Sequence, residues 1–265
     1  MPEWISIVLL GLIEGVTEFL PVSSTGHLLV AEHWLGLKES DLFNVVIQCG
    51  AVLAVIPLFP QRINQFLFRW REPATQDYLL KIAVAFFITG AVGFVLDKKG
   101  FKLPETTLPI AIALITGGVL FVLIERMLKG RSGSQQITWP VVYAVAIGQL
   151  VAGVFPGTSR SGATILFSLL LGLSRPTATE FSFLVGIPTM LAAGGWKIFK
   201  ALRHHAPDAP AENWSMVILG AVTAAIVSFF VVKWLLRFVQ THTFVAFGWY
   251  RIALGVSILI FLRTH

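Results

Sequence analysis

Glu14-Gly-Val-Thr-Glu18-Phe-Leu-Pro-Val-Ser23-Ser24-Thr25-Gly-His27 interrupts a very apolar chain, and its reading decides the fold. Two acids, a run of hydroxyls and an imidazole crowd a stretch whose flanks read as membrane helix. Ionisable groups inside a membrane segment are costly, so they mark a functional site by default. About half a chain later, Phe155-Pro-Gly157-Thr158-Ser159-Arg160-Ser161-Gly-Ala-Thr164 breaks a second apolar region in a similar way. The pair points to one site assembled from two halves of a duplicated membrane protein.

Composition agrees with that solvent. Of 265 residues, 55% are hydrophobic and 13% charged, outside the usual balance of a soluble domain. A formal charge of +6 in a soluble protein would raise the question of nucleic acid. Here the Lys and Arg residues fall mainly in short gaps between apolar runs, where they meet anionic lipid heads and set orientation, so no nucleic-acid partner is expected. The single Cys49 excludes an internal disulfide and a cysteine metal cluster, and reads as packing. Glu3 replaces a basic n-region and the first apolar run carries two acids, which argues against a cleaved signal peptide.

A bilayer core of about 30 Å takes about 20 apolar helical residues. Six runs fit: Leu42–Pro60, Tyr78–Leu96, Leu108–Leu128, Glu180–Phe199, Trp214–Leu236 and Ala246–Leu262. Polar gaps separate them, and Trp4, Trp70, Trp139, Trp196, Trp214, Trp234 and Trp249 fall near run ends, where interfacial aromatics belong. Two further regions, Trp4–Leu37 and Trp139–Leu173, are broken midway by Pro and Gly, which remove a helix donor and loosen the backbone. Each reads as helix, irregular loop, helix. Irregular backbone at membrane depth must be covered by protein or face a cavity, so both loops point inward.

Pro21 set against Pro156 brings Ser24 beside Ser159, and a one-residue slip then pairs Gly26 with Gly162 and Leu35-Gly-Leu37 with Leu171-Gly-Leu173. The expected fold is an all-α polytopic membrane protein in one domain, residues 1–265. Repeat 1 covers about 1–130 and repeat 2 about 137–265, each one broken element followed by three spans. If the broken elements are re-entrant hairpins, three crossings separate them, and the six transmembrane helices form an inverted-topology repeat with its site near the midplane. Crossing elements would instead give parallel repeats. The hairpin arrangement puts ten Lys or Arg, including Arg62 and Arg237, on one face and eight, including Lys38, Lys102 and Arg263, on the other. The larger group marks the cytoplasmic face, with both termini outside and the site reached from the periplasmic side of the inner membrane.

Glu14 and Glu18 are one helical turn apart and share a face. Two carboxylates that close need something positive between them. A divalent cation, Mg²⁺ or Ca²⁺, held together with substrate phosphate oxygens is one solution. One proton shared by a protonated acid and an ionised base is another. Ser23, Ser24, Thr25 and His27 follow with hydroxyl nucleophiles and an imidazole. The second loop brings the opposite charge: Gly157, Thr158, Ser159, Arg160 and Ser161 precede a helix expected to begin near Ala163, and Thr164 adds a hydroxyl or caps that helix. Helix N-termini and nests of backbone N–H groups bind anions, and a guanidinium grips phosphate with two N–H donors. Arg160 paired with Glu14 or Glu18 for purely structural reasons is the alternative.

Glu14-x-x-x-Glu18, then Pro-Val-Ser-Ser-Thr-Gly-His27, then Pro-Gly-Thr-Ser-Arg-Ser-Gly-Ala-Thr164 closely resembles the bacterial undecaprenyl-diphosphate phosphatases of the bacitracin-resistance type. The resemblance covers essentially the whole chain. It implies a multi-pass inner-membrane hydrolase that converts undecaprenyl diphosphate to undecaprenyl phosphate and phosphate, recycling the carrier for cell-wall synthesis and conferring bacitracin resistance. It also implies the inverted re-entrant fold and a homodimer. On this reading Ser24 is the nucleophile, with Ser23 and His27 as alternatives. Arg160, Ser159 and the following helix N-terminus hold the diphosphate, Glu18 with Glu14 binds metal or assists deprotonation, and His27 protonates the leaving group or activates water. The rival class is a polyprenyl-phosphate transporter or flippase, which broken helices around an anion site also fit.

Overall fold

The computed structural model describes residues 2–37, 39–101, 107–203 and 213–261. Lys38, Lys102, Leu262 and Arg263, used above in the charge comparison and the last span, lie outside them. The helices are α1 Glu3–Thr17, α2 Ser24–Leu35, α3 Asp41–Val55, α4 Pro60–Phe68, α5 Pro73–Lys98, α6 Thr107–Met127, α7 Trp139–Val154, α8 Arg160–Leu170, α9 Arg175–Arg203, α10 Trp214–Thr241 and α11 Val245–Phe261.

Among the described residues five stretches are long and apolar enough to cross a bilayer: Asp41–Leu58, Pro73–Lys98, Thr107–Met127, Arg175–Ala201 and Trp214–Thr241. The sixth expected span is α11, whose 17 residues rise about 26 Å, at the short end for crossing. Helices α5 and α9 start about one turn before the apolar runs that announced them. Pro73 opens α5 in the first turn, where its missing N–H costs nothing, and Ser174 accepts from Thr177 N–H ahead of α9 at 3.4 Å. Apolarity does not register a polar first turn. Helix α4 occupies a stretch read from sequence as a polar gap. It is short and amphipathic, leaving Leu67 and Phe68 exposed.

Burial is inverted relative to a soluble bundle. In the most apolar window of α5 only 11% of residues are buried, so most side chains of that helix face outward. The tryptophans near helix ends, Trp4, Trp70, Trp196, Trp214, Trp234 and Trp249, are exposed as well. The interior is built from α1 against α10, α3 against α10 and α9, α7 against α8 and α5, and α6 against α11. Between α6 and α11, Gly118 and Gly248 face each other's backbone, the close approach that drives helix association where lipid removes the hydrophobic incentive.

Both broken regions fold as expected into helix, loop, helix. Ahead of α7 and behind α8 the chain is tied to itself: Ser134 N–H donates to Gly172 O and Ser174 N–H to Ser134 O, both at 2.8 Å. The two outer ends of the α7–α8 pair therefore lie together. The breaks match in detail, but in a register that corrects the proline-based alignment. Ser23 caps α2 and accepts from Gly26 N–H, and Ser159 caps α8 and accepts from Gly162 N–H. Each cap has positive φ, 73° at Ser23 and 68° at Ser159. Gly36 and Gly172 close the second helices with left-handed φ in the same spacing. Ser24 thus corresponds to Arg160, not to Ser159, whereas the expected pairing of Gly26 with Gly162 and Leu35-Gly-Leu37 with Leu171-Gly-Leu173 holds and extends back through the caps. The prolines mislead because each lies in the irregular loop, where position is set by covering contacts rather than by helical repeat.

Candidate active site

Helix α1 carries Glu14 in its last turn and runs out at Glu18, whose N–H still bonds Glu14 O at 3.0 Å. Both carboxyls are buried, and they contact each other. The chain then turns through Phe19–Val22 and restarts as α2, so Ser24 becomes the first residue of a helix directly below Glu18. Ser24 Oγ donates to Glu18 Oε2 at 2.7 Å, within the reach that a hydroxyl needs of a base before it can act as a nucleophile.

Arg160 is likewise the first residue of α8, which starts three residues earlier than the sequence suggested. The cause is the cap: Ser159 Oγ accepts from Gly162 N–H at 3.1 Å and nucleates the turn at once. Arg160 Nη2 reaches across to Glu18 Oε1 at 3.4 Å. Its Nε and Nη1 are buried without a protein acceptor, and Glu14 Oε2 is buried without a protein donor. An unpaired buried polar group costs roughly 1–3 kcal/mol, more when charged. Orphaned donors on a buried guanidinium fit an anion there, and an orphaned carboxylate oxygen beside a second carboxylate fits a cation. Among the described residues no cluster of three or more His, Cys, Asp or Glu side chains is assembled. A metal would be held by the two glutamates completed by substrate oxygens and water, the open arrangement Mg²⁺ favours.

The remaining expected residues divide between the site and its frame. Ser161 Oγ donates to Leu20 O at 3.0 Å, which leaves Ser159 as donor in their 3.1 Å contact. The Ser161 proton thus ties the second loop to the first, and Ser159 braces Ser161 from within its own loop. Thr164 does not cap the helix. It is fully buried inside α8 and donates to Arg160 O at 2.8 Å. Thr158 is half-buried and Thr25 exposed, on the rim of the break. Gly157 holds φ at 89°, and a side-chain carbon there would meet Ile110 O at 2.7 Å, so only glycine fits. His27 Nδ1 lies 2.7 Å from Ser23 O. A carbonyl only accepts, so Nδ1 carries the proton, and in the neutral ring Nε2 accepts from Tyr250 Oη, also at 2.7 Å.

Tyr250 and Arg251 were missed from sequence. Arg251 is fully buried on α11 and donates to four carbonyls: Pro21 and Ala113 at 3.1 Å, Gly157 at 3.2 Å and Leu114 at 3.4 Å. It holds both loops against α6. The signal was present, since an arginine within the apolar run Ala246–Leu262 meets the same criterion that singled out Glu14 and Glu18.

Fold and site together define a multi-pass membrane protein that gathers a carboxylate pair, a hydroxyl and a guanidinium between two helix breaks. That constellation is chemically suited to an anion. The chain belongs to the family described as bacitracin resistance protein BacA, whose model matches residues 7–257. It is 50% identical over 258 residues to an undecaprenyl-diphosphatase of Rhizobium etli, covering 97% of this chain and 96% of that one. Its identity to an undecaprenyl-diphosphatase of Xylella fastidiosa is 48% over 263 residues, 99% of this chain and 100% of the other. For the namesake of Xanthomonas euvesicatoria it is 47%, with 99% and 98% covered.

Proposed function

We propose that this protein is an undecaprenyl-diphosphate phosphatase of the bacterial inner membrane, cleaving the terminal phosphate from undecaprenyl diphosphate to recycle the lipid carrier. The observation that carries the chemistry is the Ser24–Glu18–Arg160 chain: nucleophile, base and anion grip in direct contact across two loops. Ser24 Oγ attacks the terminal phosphorus and passes its proton to Glu18, while the bond from phosphorus to the bridging oxygen breaks and undecaprenyl phosphate leaves with that electron pair. Arg160, through guanidinium donors that no protein group accepts, holds the transferred phosphoryl oxygens as charge redistributes. Water then attacks the phosphoserine, Oγ recovers its proton from Glu18, and the proton that water gives up passes to His27 Nε2 through the Tyr250 hydroxyl, which hands over its own proton and accepts water's. His27 is oriented for this by Ser23 O on one nitrogen and Tyr250 on the other. Glu14 and Glu18 would hold Mg²⁺ or Ca²⁺, which would neutralise phosphate charge when bound.

The reading includes an inverted-topology repeat, about residues 1–130 and 137–265, with α1–α2 and α7–α8 as re-entrant hairpins and the site open to the periplasmic side. The tied ends of α7 and α8 support a hairpin. The packing of α1 on α10, echoed by α7 on α5, supports exchanged halves. Because the long prenyl tail stays in lipid, only the diphosphate must enter. The deciding test is phosphate release from undecaprenyl diphosphate by purified protein in detergent with divalent cation. Detergent removes sidedness but not hydrolysis, so absence of release from folded protein would replace the enzyme with a carrier of polyprenyl phosphate.

A further inference from the structure

Two adjoining cavities of about 310 and 350 Å³ open at the end of the molecule where α6 and α8 finish and α9 and α11 begin. They share Leu128, Arg131 and Arg175 and so form one basin. Helix α8 separates it from the active site: Arg160 stands at one end and Leu170 at the other, 11 residues or about 16 Å away.

The charge in this basin is one-sided. Arg126, Lys129, Arg131 and Arg175 line it, and Glu125 is its single acid. Glu125 is fully occupied. Arg175 donates to it from Nε at 2.9 and 3.1 Å and from Nη2, and Phe244 N–H adds a bond at 2.9 Å. Arg126, Lys129 and Arg131 are exposed, and none is ion-paired among the described residues. Three uncompensated cations therefore surround a pocket whose floor is fixed by a buried ion pair. Orientation in the membrane requires basic residues near span ends, but it does not require them to converge on a cavity. The wall is apolar, through Leu128, Leu169 and Leu170, and Met127, Leu170 and Leu171 continue it as exposed surface.

We propose that this basin binds a phosphate-bearing anion, with the phosphate against Arg126, Lys129 and Arg131 and the apolar wall beside it. Both the headgroup of an anionic phospholipid and free inorganic phosphate carry that chemistry. A basic pocket between spanning helices at the membrane surface is the setting in which anionic headgroups bind.

The experiment uses the full-length protein in detergent, measuring retained phosphatidylglycerol against phosphatidylcholine by native mass spectrometry. The wild type is expected to prefer phosphatidylglycerol. The triple variant Arg126→Gln, Lys129→Gln, Arg131→Gln is expected to reduce that preference by about 100-fold, a contribution of about fivefold per cation, while its hydrolytic turnover in neutral detergent stays at the wild-type level. Competition by inorganic phosphate identifies free phosphate as an occupant, and its failure to compete identifies the lipid; both support the site. Should the triple variant not fold, the wild type decides the matter. Its preference must collapse between 0.1 and 1 M salt, as the screening length falls from about 10 to about 3 Å. Equal retention of the two lipids, a salt-independent preference, or a folded triple variant that keeps the preference overturns the proposal.

Discussion

Replacement of Arg160 by lysine isolates geometry from charge. Arg160 meets Glu18 through Nη2 at 3.4 Å and leaves Nε and Nη1 buried without a protein acceptor. Its guanidinium is held in plane by the Phe19 ring, 5.7 Å from Cζ to centroid, and by the α9 backbone at Gly186. Lysine preserves the positive charge, so Glu14 and Glu18 stay compensated and the helices stay assembled. It cannot present two parallel N–H donors along one edge. Removal of a single donor to a developing oxyanion typically costs 10²–10³ in kcat, or about 2.7–4 kcal/mol. Two donors become one mobile ammonium here, so Arg160→Lys is expected to lose about 10²–10³ in kcat. The assay is phosphate release at saturating undecaprenyl diphosphate, with thermal unfolding measured on the same preparation. A folded Arg160→Lys enzyme within about threefold of wild-type kcat would refute the assignment of the Arg160 guanidinium to the transferred phosphoryl group.

Three other outcomes are expected. Ser24→Ala, which deletes the 2.7 Å donor to Glu18, should reduce kcat by at least about 10³-fold, with no phosphoserine trapped by acid quench; retained turnover would move the nucleophile to Ser23 or His27. Chelation should abolish activity and Mg²⁺ or Ca²⁺ restore it, and Glu14→Gln should raise the metal concentration for half-maximal rate by about tenfold or more. A metal titration unchanged by Glu14→Gln would remove that residue from the cation site. Arg251→Met leaves four buried carbonyls without their donor. At roughly 1–3 kcal/mol per unpaired group, it should lower the thermal midpoint sharply as well as turnover, and Arg251→Lys should fall between; a midpoint unchanged in Arg251→Met would show that the loops are held without it.

Much of this protein was written in the order of its residues. Hydropathy placed the spans because lipid-facing positions admit little else, and α6 and α10 begin where their apolar runs announce them. The acids and hydroxyls around Glu18 and the Arg160 loop stood out for the opposite reason, that polar groups at membrane depth persist only with a partner. Local sequence did not fix where α8 begins or how the two breaks align. Those depend on Ser23 and Ser159 adopting positive φ as caps, a strained backbone of order 1–3 kcal/mol that surrounding contacts must sustain.

Only tertiary structure decided which groups touch. Ser24 and Glu18 are neighbours in sequence, yet their contact with Arg160 comes from across the chain, and the staple that aligns the loops, Arg251, comes from the last helix. A linear reading ranks residues by local company, and Arg251 sits alone among apolar neighbours. Its four acceptors are backbone carbonyls contributed by three distant segments, and backbone carbonyls are the same in every residue, so the sequence carries no trace of them. Side-chain chemistry is therefore legible in the sequence, whereas the backbone partners that orient it exist only once the helices have packed.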